Sequence, residues 1–544
     1  MAEAAQSDTP PDEPPLLRTV AAIDIGSNAI RMEIGEVLSD GAIEVLERAH
    51  RPVRLGQDTF ARGRLQQRTM NAAVSILRDY RRILETYQVR HVRAVATSAV
   101  REAGNGETFL DRIFMATSLE VEVIDPSEES RLTVGAVRHA LGEALGVLRG
   151  RALIADVGGG SALLTFLDRG EIVSSGSYRL GSIRLQELLD TPGEPPDRAA
   201  DLLRHQIAGT TATIKASFPL HKARLFVAVG GDARFAARQV GKAAEAEGLF
   251  VISAKDFDAF VDRCAGFSAG ALAREYALPF ADAETLVPAL IAYQSLMRET
   301  RARRIIVPPV SMRDGLLSDL ARSVTGQDTP EMAEGVLQSA RAIGERFHYD
   351  AAHSQHVADL AVRLFDALAP EHRLSARHRL LLRVAALLHE VGNFVSSRAH
   401  HKHSYYLIAN SEVFGLRRHE LAIVAHVARY HRRSAPKPTH LDYMGLPREA
   451  RIVVNKLAAI LRIADALEKT HTQHIREIDV EPLEGELLIH VRHVADLDLE
   501  RRALALKGGM FEDVYGLRVR LEEADAYLEG ARRDEAARAP DEHA

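Results

Sequence analysis

The chain has 544 residues, enough for roughly three or four domains, and 46% of them are hydrophobic, so it can bury several cores. Its formal net charge of −6 excludes a global basic field that would draw it to nucleic acid or to a membrane. A single cysteine, Cys264, excludes an internal disulfide and fits a cytosolic compartment. No apolar run is long enough to span a bilayer. We therefore expect a cytoplasmic protein with neither nucleic acid nor membrane among its partners.

The first predicted elements follow residues 1–16, an acidic, proline-rich stretch without the basic and apolar segments of a signal peptide, which we expect to be a disordered tail. Residues 20–37 have the pattern of a strand, a tight glycine turn and a second strand. Asp24 ends the first apolar run, and the turn holds Gly26, Ser27 and Asn28. Backbone N–H groups in such a turn form an anion-binding concavity, and an adjacent aspartate can hold Mg²⁺.

The same pattern occurs a second time, in residues 152–185. Its aspartate, Asp156, lies 132 residues after Asp24 (156 − 24), and each copy leads to an Arg-Leu-Gly triplet. The second turn holds Gly158, Gly159, Gly160 and Ser161. Similarity at a fixed spacing predicts two related lobes. Two facing phosphate loops, each with an aspartate, suit a cleft that grips a phosphate chain from both sides; two ordinary glycine hairpins are the alternative interpretation.

Between the two copies, the spacing of apolar residues predicts an amphipathic helix over residues 68–89. A polar loop after the next strand offers Arg101. Another helix is predicted to begin at Asp125, which suits the N-cap, and Glu128 falls where a capping box places a glutamate. Glu129 follows in the first turn, where a solvated carboxylate favoured by the helix dipole is the alternative to a functional role.

A third glycine turn follows an apolar run and is a further candidate for phosphate binding, through Gly230 and Gly231. Strands alternate with helices in this part, which predicts an α/β fold for residues 17–322. From residue 331 to about residue 470 the pattern is helical and rich in histidine. Alternating stretches after it predict a small α+β domain over residues 473–530, with a charged, frayed end beyond.

These motifs resemble those of one family, the exopolyphosphatase and guanosine pentaphosphate phosphohydrolase (Ppx/GppA) family. In chain order, the matching stretches are AAIDIGSNAIRM, VATSAVREAGN, SEESRL, ADVGGGS and YRLGSIRL, followed by AALLHEVGNFVS, HHKHSYYLIANSE and VARYHRR. The resemblance implies two actin-like (ribonuclease-H-like) lobes, residues 17–132 and 133–322, with the site between them. It also implies an HD-like helical domain over residues 328–472.

The resemblance further implies release of a terminal phosphate from inorganic polyphosphate or from pppGpp, with Mg²⁺ or Mn²⁺ as the cofactor and a homodimer as the assembly. The family's catalytic glutamate falls on Glu129, whose role is to orient and deprotonate the attacking water. Phosphoryl transfer depends mostly on positioning and charge stabilisation. Arg101 is therefore a candidate to neutralise the terminal phosphate. For Arg179 a structural ion pair is an equal alternative to the same role.

Four positions depart from the family pattern. The second turn continues as Ser161-Ala162-Leu163 instead of Ser-Thr-Glu, and Asp232 ends the third turn instead of threonine. Pro126 stands where the family has glycine, and Ala29 where it commonly has serine. In one interpretation Asp232 supplies the metal-binding carboxylate that Leu163 lacks, and catalysis survives in altered form. In the other, the site has lost hydrolysis and only binds a phosphate ligand.

Residues 331–470 resemble an HD phosphohydrolase domain, whose metal motif lines up with His353, His389, Glu390 and Asp465. Imidazoles and carboxylates from separate helices suit a divalent metal. Because Glu390 stands where the HD motif has aspartate, a helical domain without metal is the alternative. Two basic clusters, residues 400–403 and 429–433, predict a cationic groove that guides a polyphosphate chain, with solvated helix ends as the alternative.

We therefore predict an exopolyphosphatase-type phosphohydrolase, with polyphosphate as the leading substrate and pppGpp as the second. A sensor that binds polyphosphate or a nucleotide without hydrolysis is the first alternative, and binding without turnover would distinguish it. An ATP-dependent kinase or chaperone-like ATPase on the same fold is another, and ADP formation from ATP would distinguish it. That last alternative leaves Glu129 and the phosphatase motifs unexplained.

Overall fold

The computed structural model describes residues 18–39, 41–141, 150–244, 248–325, 330–492, 494 and 496–523. The chain divides into two compact units, Met1–Thr329 and Pro330–Ala544, and each is described by itself. The predicted tail at residues 1–16 and the charged end beyond residue 530 lie outside the described residues. Within the described ranges, no helix is both long and apolar enough to cross a membrane.

Five strands form the first sheet in the described part of unit 1. They are β1 (Arg18–Ile25), β2 (Ala29–Val37), β3 (Ile43–Pro52), β4 (His91–Ala96) and β5 (Val121–Val123). Their order is β3-β2-β1-β4-β5, with β1 antiparallel to β2 and parallel to β4. Asp24 lies near the end of β1 and the Gly26 turn joins β1 to β2, so the predicted strand, turn and strand are confirmed.

The second sheet repeats this arrangement. Its described strands are β6 (Arg151–Val157), β7 (Ala162–Asp168), β8 (Glu171–Tyr178), β9 (Leu225–Val229), β10 (Lys242–Ala243), β11 (Phe250–Ser253) and β12 (Arg304–Val307). They lie in the order β10-β11-β12-β9-β6-β7-β8. The part β8-β7-β6-β9-β12 has the order and strand directions of the first sheet, since β6 is antiparallel to β7 and parallel to β9. The α/β prediction is therefore confirmed for unit 1.

Helices cover the sheets of unit 1. They are α1 (Leu55–Arg62), α2 (Gln67–Thr86), α3 (Ser98–Arg101), α4 (Gly106–Thr117), α5 (Pro126–Leu141), α6 (Ser182–Leu189), α7 (Pro196–Ser217), α8 (Gly231–Val240), α9 (Ala254–Ala265), α10 (Ala269–Glu275), α11 (Phe280–Arg298) and α12 (Met312–Thr325). Short 3₁₀ helices lie at Thr191–Gly193 and Leu220–Lys222. The predicted amphipathic helix is α2, which buries the apolar face that its spacing indicated.

The division of unit 1 into lobes differs from the predicted one. The predicted boundary between residues 132 and 133 falls inside α5, which runs on without a break. In addition, α12 packs against the first sheet, because its apolar residues Leu316 and Leu317 share a core with Val20 and Val95. The end of the predicted second lobe therefore belongs with the first sheet.

Unit 2 begins with a run of helices, as the sequence predicts, and ends with a small sheet. The helices are α13 (Pro330–Arg346), α14 (Ala351–Ala367), α15 (Ala369–His372), α16 (Ala376–Leu388), α17 (His400–Ala409), α18 (Arg418–Tyr430), α19 (Leu441–Met444), α20 (Arg448–Leu467), α21 (Asp498–Lys507) and α22 (Gly509–Tyr515), with a 3₁₀ helix at Val391–Phe394. The strands β13 (Ile478–Leu483), β14 (Glu486–Val491) and β15 (Arg518–Glu523) lie in that order.

The predicted small domain over residues 473–530 does not have a separate core among the described residues. Leu487 and Phe511 belong to the same buried cluster as Val357 and Leu461 of the helical run. Helix α22 packs against α20 and strand β13 packs against α14, so the two predicted domains fold around one core.

Candidate active site

A cavity of about 370 Å³ in unit 1 collects the residues predicted for the cleft. Strands β1, β6 and β9 lead to it, and ligands of α/β sheets bind at the carboxyl ends of such parallel strands. The predicted residues that line it are Asp24, Gly26, Ser27, Asn28, Glu129, Asp156, Gly158, Gly159, Gly160, Ser161, Gly230, Gly231 and Asp232. All three glycine turns therefore face one space.

The first two glycine turns lie against each other across this cavity. Ser27 Oγ lies 3.1 Å from Ser98 Oγ, and a Cβ built on Gly160 would lie only 2.1 Å from Ser98 Oγ. A side chain at position 160 would require the side chains of Ser98, Phe60 and Ser27 to move. The backbone amides of both turns are thus brought to the same cavity, which suits an anion such as a phosphate.

The two Arg-Leu-Gly triplets support the turns from behind. Gly56 N donates to Ser27 O at 2.8 Å, which ties the first triplet to the first turn. In the second triplet, a Cβ on Gly181 would lie 2.2 Å from the carbonyl carbon of Gly160, so this turn packs directly on the glycine. Arg179 is exposed and is not part of the cavity lining. Of the two roles considered for Arg179, the geometry therefore does not favour contact with a phosphate in the cavity.

Glu129 lies in the first turn of α5, at the cavity wall. The predicted N-cap is confirmed, since Glu128 N donates to Asp125 Oδ1 at 2.9 Å. Arg101 does not line the cavity, but its Nη1 donates to Glu129 Oε1 at 2.7 Å. Burial raises the pKa of Glu129 to about 7; Arg101 opposes this rise, and two neighbouring aspartates add to it. A carboxyl group with such a pKa can accept a proton near neutral pH, as a general base requires.

Glu128, next in sequence, has a structural role. Its carboxylate accepts hydrogen bonds from Arg131 Nε at 2.6 Å and from Arg93 Nη2 at 2.8 Å, and both arginines also contact Asp319 of α12. Burial raises the pKa of Glu128, but the two guanidinium groups outweigh it and lower the pKa to about 2. This charged network fixes the start of the helix that carries Glu129.

Asp24 and Asp156 occupy equivalent places in the two sheets. Arg313 Nη1 lies 3.4 Å from Asp24 Oδ2, and Thr133 Oγ1 donates to Asp156 Oδ2 at 3.3 Å. Burial raises the pKa of Asp156 to about 6, although the Arg234 guanidinium opposes this. Carboxylate oxygens are the donors that Mg²⁺ prefers, and it is commonly held by one or two carboxylates together with substrate phosphates.

Leu163 and Asp232 line the same cavity, so the loss and the gain of a carboxyl group fall on one site. Leu163 is paired with Asp156 in the sheet. Burial, and then the charge of Asp282, raise the pKa of Asp232 to about 7. The donor atoms of Asp24, Asp156 and Asp232 do not all lie within 4.8 Å of one another, since in the described part of the chain such sets of three occur only in unit 2.

The sequence analysis missed the cationic side chains of the cavity. Arg31, Arg234 and Arg313 line it, and Arg234 Nη1 donates to Val310 O at 2.6 Å. Burial lowers the pKa of Arg234. Alternation along β2 places Arg31 on one face with Ala29, directly beside the turn, and this signal could have identified Arg31. Arg234 and Arg313 come from distant stretches that only the fold brings together.

Two family models match the chain. One, described as the Ppx/GppA phosphatase family, matches residues 36–324, and the other, described as Ppx/GppA phosphatase, domain III, matches residues 337–506. The chain belongs to the Ppx/GppA phosphatase family. The first match alone covers more than half of the chain, and it includes Glu129 and the second and third glycine turns, whereas β1 and the first turn precede residue 36.

Relatives of this Ppx/GppA phosphatase carry two kinds of name. A guanosine-5'-triphosphate,3'-diphosphate pyrophosphatase of Vibrio vulnificus is 24% identical over 472 residues, which are 85% of this chain and 88% of the relative. Exopolyphosphatase 2 of Mycobacterium tuberculosis is 34% identical over 233 residues, 40% of this chain and 68% of the relative. The solved structure of an exopolyphosphatase from Cytophaga hutchinsonii, 21% identical, covers 56% of this chain and 98% of its own with a TM-score of 0.51. That last likeness concerns the fold.

The Ppx/GppA chain also has a buried histidine cluster in unit 2, which includes three of the four predicted HD-type residues. The donor atoms of His353, His389 and Asp465 all lie within 4.8 Å of one another, and all three side chains are buried. Glu390 belongs instead to a second set, with His353 and His471. Lys507, which the sequence analysis missed, places its ammonium group on Asp465. His389 Nδ1 contacts Ala386 O at 2.7 Å, which leaves Nε2 to face the cluster.

The predicted cationic groove of unit 2 is interrupted. His400, His401 and His431 are buried, not exposed. Burial lowers the pKa of His401 to about 4, with His400 and nearby arginines adding to the effect, and burial holds the pKa of His431 well below its usual value. These imidazoles are therefore uncharged at neutral pH. Lys402, Arg432 and Arg433 remain as exposed cations of the two clusters.

Proposed function

We propose that the cavity of unit 1 releases the terminal phosphate of inorganic polyphosphate, or the 5'-phosphate of pppGpp, by attack of water. One observation carries the proposal: a buried glutamate with a pKa near 7, Glu129, opens onto the same cavity as two facing glycine turns. The turns supply an anion site and the glutamate supplies a base beside it. Polyphosphate is the leading substrate, because the turn amides and the arginines at the cavity recognise phosphate and need no guanine base.

In this proposal the terminal phosphate is held by the backbone amides around Gly160 and by the Arg31 and Arg234 side chains. Glu129 accepts a proton from the attacking water while Arg101 holds the carboxylate in orientation. The water oxygen forms a bond to the terminal phosphorus, the bridging P–O bond breaks, and the shortened chain leaves with the electron pair. Most of the rate enhancement comes from positioning and charge stabilisation.

We further propose that Asp24 and Asp156 hold Mg²⁺ or Mn²⁺ at this site. Two hard carboxylate donors at the same cavity fit such a cation. Burial and repulsion from Asp24 both raise the pKa of Asp156. A bound cation would offset the burial of the charge and the repulsion between the two carboxylates. The metal, when bound, supplies charge stabilisation to the phosphates. Asp232 is the weaker candidate as a ligand, since the charge that perturbs it most is that of Asp282.

The proposal is tested by phosphate release from long-chain polyphosphate and from pppGpp, with Mg²⁺ or Mn²⁺, for wild type and Glu129→Gln. We expect Glu129→Gln to lower the rate by about 10²- to 10⁴-fold, the range that a positioned base contributes. Glu107→Gln, at an exposed glutamate of the same lobe, is the matched control and should leave the rate unchanged. If Glu129→Gln releases phosphate as fast as the wild type, Glu129 is not the base and the proposal is wrong.

A phosphate sensor without turnover is the second candidate, and Leu163 favours it. This side chain is 6% exposed at the cavity wall, paired with Asp156, where the family pattern places a glutamate. Saturable binding of polyphosphate by the wild type, with no phosphate release under either cation, would support the sensor. Release that Leu163→Glu increases would instead indicate a working but weakened hydrolase.

For unit 2 we propose a divalent transition-metal site at His353, His389 and Asp465. The supporting observation is that both ring nitrogens of His353 and Nε2 of His389 are buried without a hydrogen-bond partner among the described residues. Imidazole-rich donor sets suit metals such as Zn²⁺ or Fe²⁺. Equilibrium dialysis should find about one tightly bound metal per chain beyond the cleft, lost in His389→Ala and kept in His401→Ala, a buried histidine outside the set. Equal binding by both variants would refute the site.

A cytoplasmic location and a homodimeric assembly remain part of the proposal. The chain has a single, buried cysteine, which fits a reducing compartment. Light scattering coupled to size-exclusion chromatography would measure the assembly directly, and a mass near 60 kDa, that of one 59.7 kDa chain, would refute the dimer.

A further inference from the structure

A second basic cavity lies in unit 1, away from the glycine turns. It has a volume of about 790 Å³, and we call it the basic pocket. Its cationic lining consists of Arg224, Lys242, Arg301, Arg303 and Arg304, with Asp256 as the carboxylate among the lining residues. Such a concentration of positive charge is unusual for a chain whose net charge is −6, and nothing in the proposed reaction uses it.

The cations of the basic pocket are available to a ligand. All five are exposed, and none forms an ion pair with another residue in the described ranges. Two exposed cations elsewhere in the same lobe are paired, Arg198 with Glu194 and Lys215 with Glu299. The Asp256 carboxylate is itself occupied, since Ser253 Oγ donates to it at 2.6 Å. Among the residues that the structure describes, the five cations of the pocket therefore have no carboxylate partner.

The backbone that carries these cations is fixed. Arg301 N donates to Ala223 O at 2.8 Å, and Ala254 N donates to Arg303 O at 2.9 Å, so the segment before β12 is tied to its neighbours on both sides. Arg224 lies directly before β9, and Arg304 begins β12. Guanidinium groups on a rigid edge lose little order on binding and favour the bidentate geometry of phosphate contacts.

The basic pocket is separate from the candidate active site. Arg224 precedes β9 and the Gly230 turn follows it, so the two sites lie at opposite ends of a five-residue strand, about 16 Å long. The two cavities share no lining residue. A ligand confined to the active site does not reach the basic pocket, whereas a long polyanion can touch both.

We propose that the basic pocket is a second binding site for a chain of phosphates, where a distal stretch of the polyphosphate whose end lies in the active site is held. The inference rests on the proposed function. Two contacts on one chain raise the affinity for long polymers through effective concentration, while short substrates gain nothing from the second contact. The enzyme would then favour long chains without any change at the residues that perform the chemistry.

The test is a binding measurement with the full chain in the Glu129→Gln background, where turnover does not interfere. The pocket variant is Arg301→Gln/Arg303→Gln/Arg304→Gln. The matched control is Arg198→Gln/Arg204→Gln/Lys215→Gln, which removes the same charge from paired positions on the same lobe. The probes are long-chain polyphosphate, tripolyphosphate and a single-stranded RNA of similar length to the polymer.

We expect the pocket variant to bind long-chain polyphosphate about tenfold more weakly, with unchanged binding of tripolyphosphate and unchanged long-chain affinity in the control. The slope of log affinity against log salt should also become shallower by about 2 in the pocket variant, as expected for three lost phosphate contacts. The experiment measures binding and not hydrolysis, so its outcome does not depend on whether the wild type hydrolyses polyphosphate. A failure of this inference can therefore be told apart from a failure of the proposed function.

Three outcomes would overturn the inference. If the control variant weakens the binding of long-chain polyphosphate equally, the effect comes from the overall positive charge of the lobe and not from the basic pocket. Equal weakening for tripolyphosphate would show that the pocket holds a short, free phosphate compound and not a distal stretch of the substrate. RNA bound as tightly as polyphosphate, and lost in the same variant, would make the pocket a nucleic-acid site.

Discussion

The cavity of unit 1 and the histidine cluster of unit 2 both bury ionisable side chains, but they meet the cost of burial differently. In the cavity, burial outweighs the neighbouring arginines, and the pKa values of Glu129 and Asp156 rise to about 7 and 6. In the cluster, burial also raises the pKa of Asp465, but the Lys507 ammonium and adjacent imidazoles outweigh it and hold that pKa well below its usual value.

This difference separates carboxyl groups whose burial outweighs their cationic neighbours from one whose ammonium partner outweighs burial. Carboxyl groups near their pKa at neutral pH can exchange protons and gain from a cation or an arginine-bound phosphate. Asp465 already has a cationic partner in Lys507, so a metal there competes with a lysine of the same chain. The glycine turns add a second contrast, because the amide donors they supply to the cavity need no charge at all.

The largest expected effect concerns the glycine turns. Gly160→Ala should lower phosphate release by about 10³-fold, because its Cβ would lie 2.1 Å from Ser98 Oγ, 2.7 Å from a Phe60 ring carbon and 3.0 Å from Ser27 Oγ, so the packing between the two turns must shift. Gly209→Ala, at an exposed position of α7 outside the cavity, is the matched control, since a Cβ there meets no atom within 4 Å. Steady-state kinetics of the two variants would check this. Similar losses in both, or none in Gly160→Ala, would contradict the close approach.

The second effect is on stability and has opposite signs in the two regions. Glu129 has a pKa near 7 when folded and about 4.5 when unfolded, so the unfolding free energy falls as pH rises through this range. Glu129→Gln should therefore be about 3 kcal/mol more stable than wild type at pH 8 and equal to it near pH 4. Lys507→Met should be about 3 kcal/mol less stable at pH 8, because it leaves Asp465 buried without its ammonium partner.

Denaturant unfolding followed by circular dichroism at the two pH values would measure both variants. A destabilised Glu129→Gln at pH 8 would mean that the Arg101 contact outweighs burial. An unchanged Lys507→Met would mean that Asp465 is not dependent on Lys507, and the contrast between the regions would disappear.

The third effect is the pH dependence of the reaction. Because the base acts only when deprotonated, kcat/KM should rise about tenfold per pH unit below pH 7 and level off above it. Arg101 lowers the pKa of Glu129, so Arg101→Gln should move the midpoint to higher pH as well as lower the plateau. Rate profiles between pH 5 and 9 would show this. A flat wild-type profile from pH 6 to 8 would exclude Glu129 as the titrating base.

The local features of the cavity could be predicted from the sequence because each is determined by a short stretch of the chain. The turn at Gly158 and the N-cap at Asp125 each depend on residues that are neighbours in the chain, and the repeat of the aspartates is visible as two similar short stretches. The role of Glu128 could not be predicted in the same way, since its carboxylate is bound by Arg93 from another strand. The packing of α12 against the first sheet could not be predicted either, because the apolar face of a helix does not indicate which surface it packs against.

The histidines of unit 2 show the same limit. In the sequence, His400 and His431 stand beside lysine and arginine and were counted with them as cations. Their rings are stacked at 5.4 Å in the interior, where burial lowers the pKa of each. Charge at neutral pH depends on burial, and burial is a property of the fold.

The smallest expected effect decides between the two interpretations of the altered carboxyl positions. Asp232→Asn should change kcat/KM by less than about threefold, whereas Asp156→Asn should lower it by about a hundredfold, since Asp156 is the proposed metal-holding partner of Asp24. The physical reason is that Asp232 is perturbed mainly by burial and Asp282, and that its oxygens do not form a compact donor set with the other two aspartates. Kinetics at saturating and limiting Mg²⁺ would compare the variants. The opposite outcome is that Asp232→Asn loses as much activity as Asp156→Asn and regains it in excess Mg²⁺. In that case Asp232 supplies the carboxylate that Leu163 lacks, and the metal ligand of the family pattern lies in a different turn of the cavity.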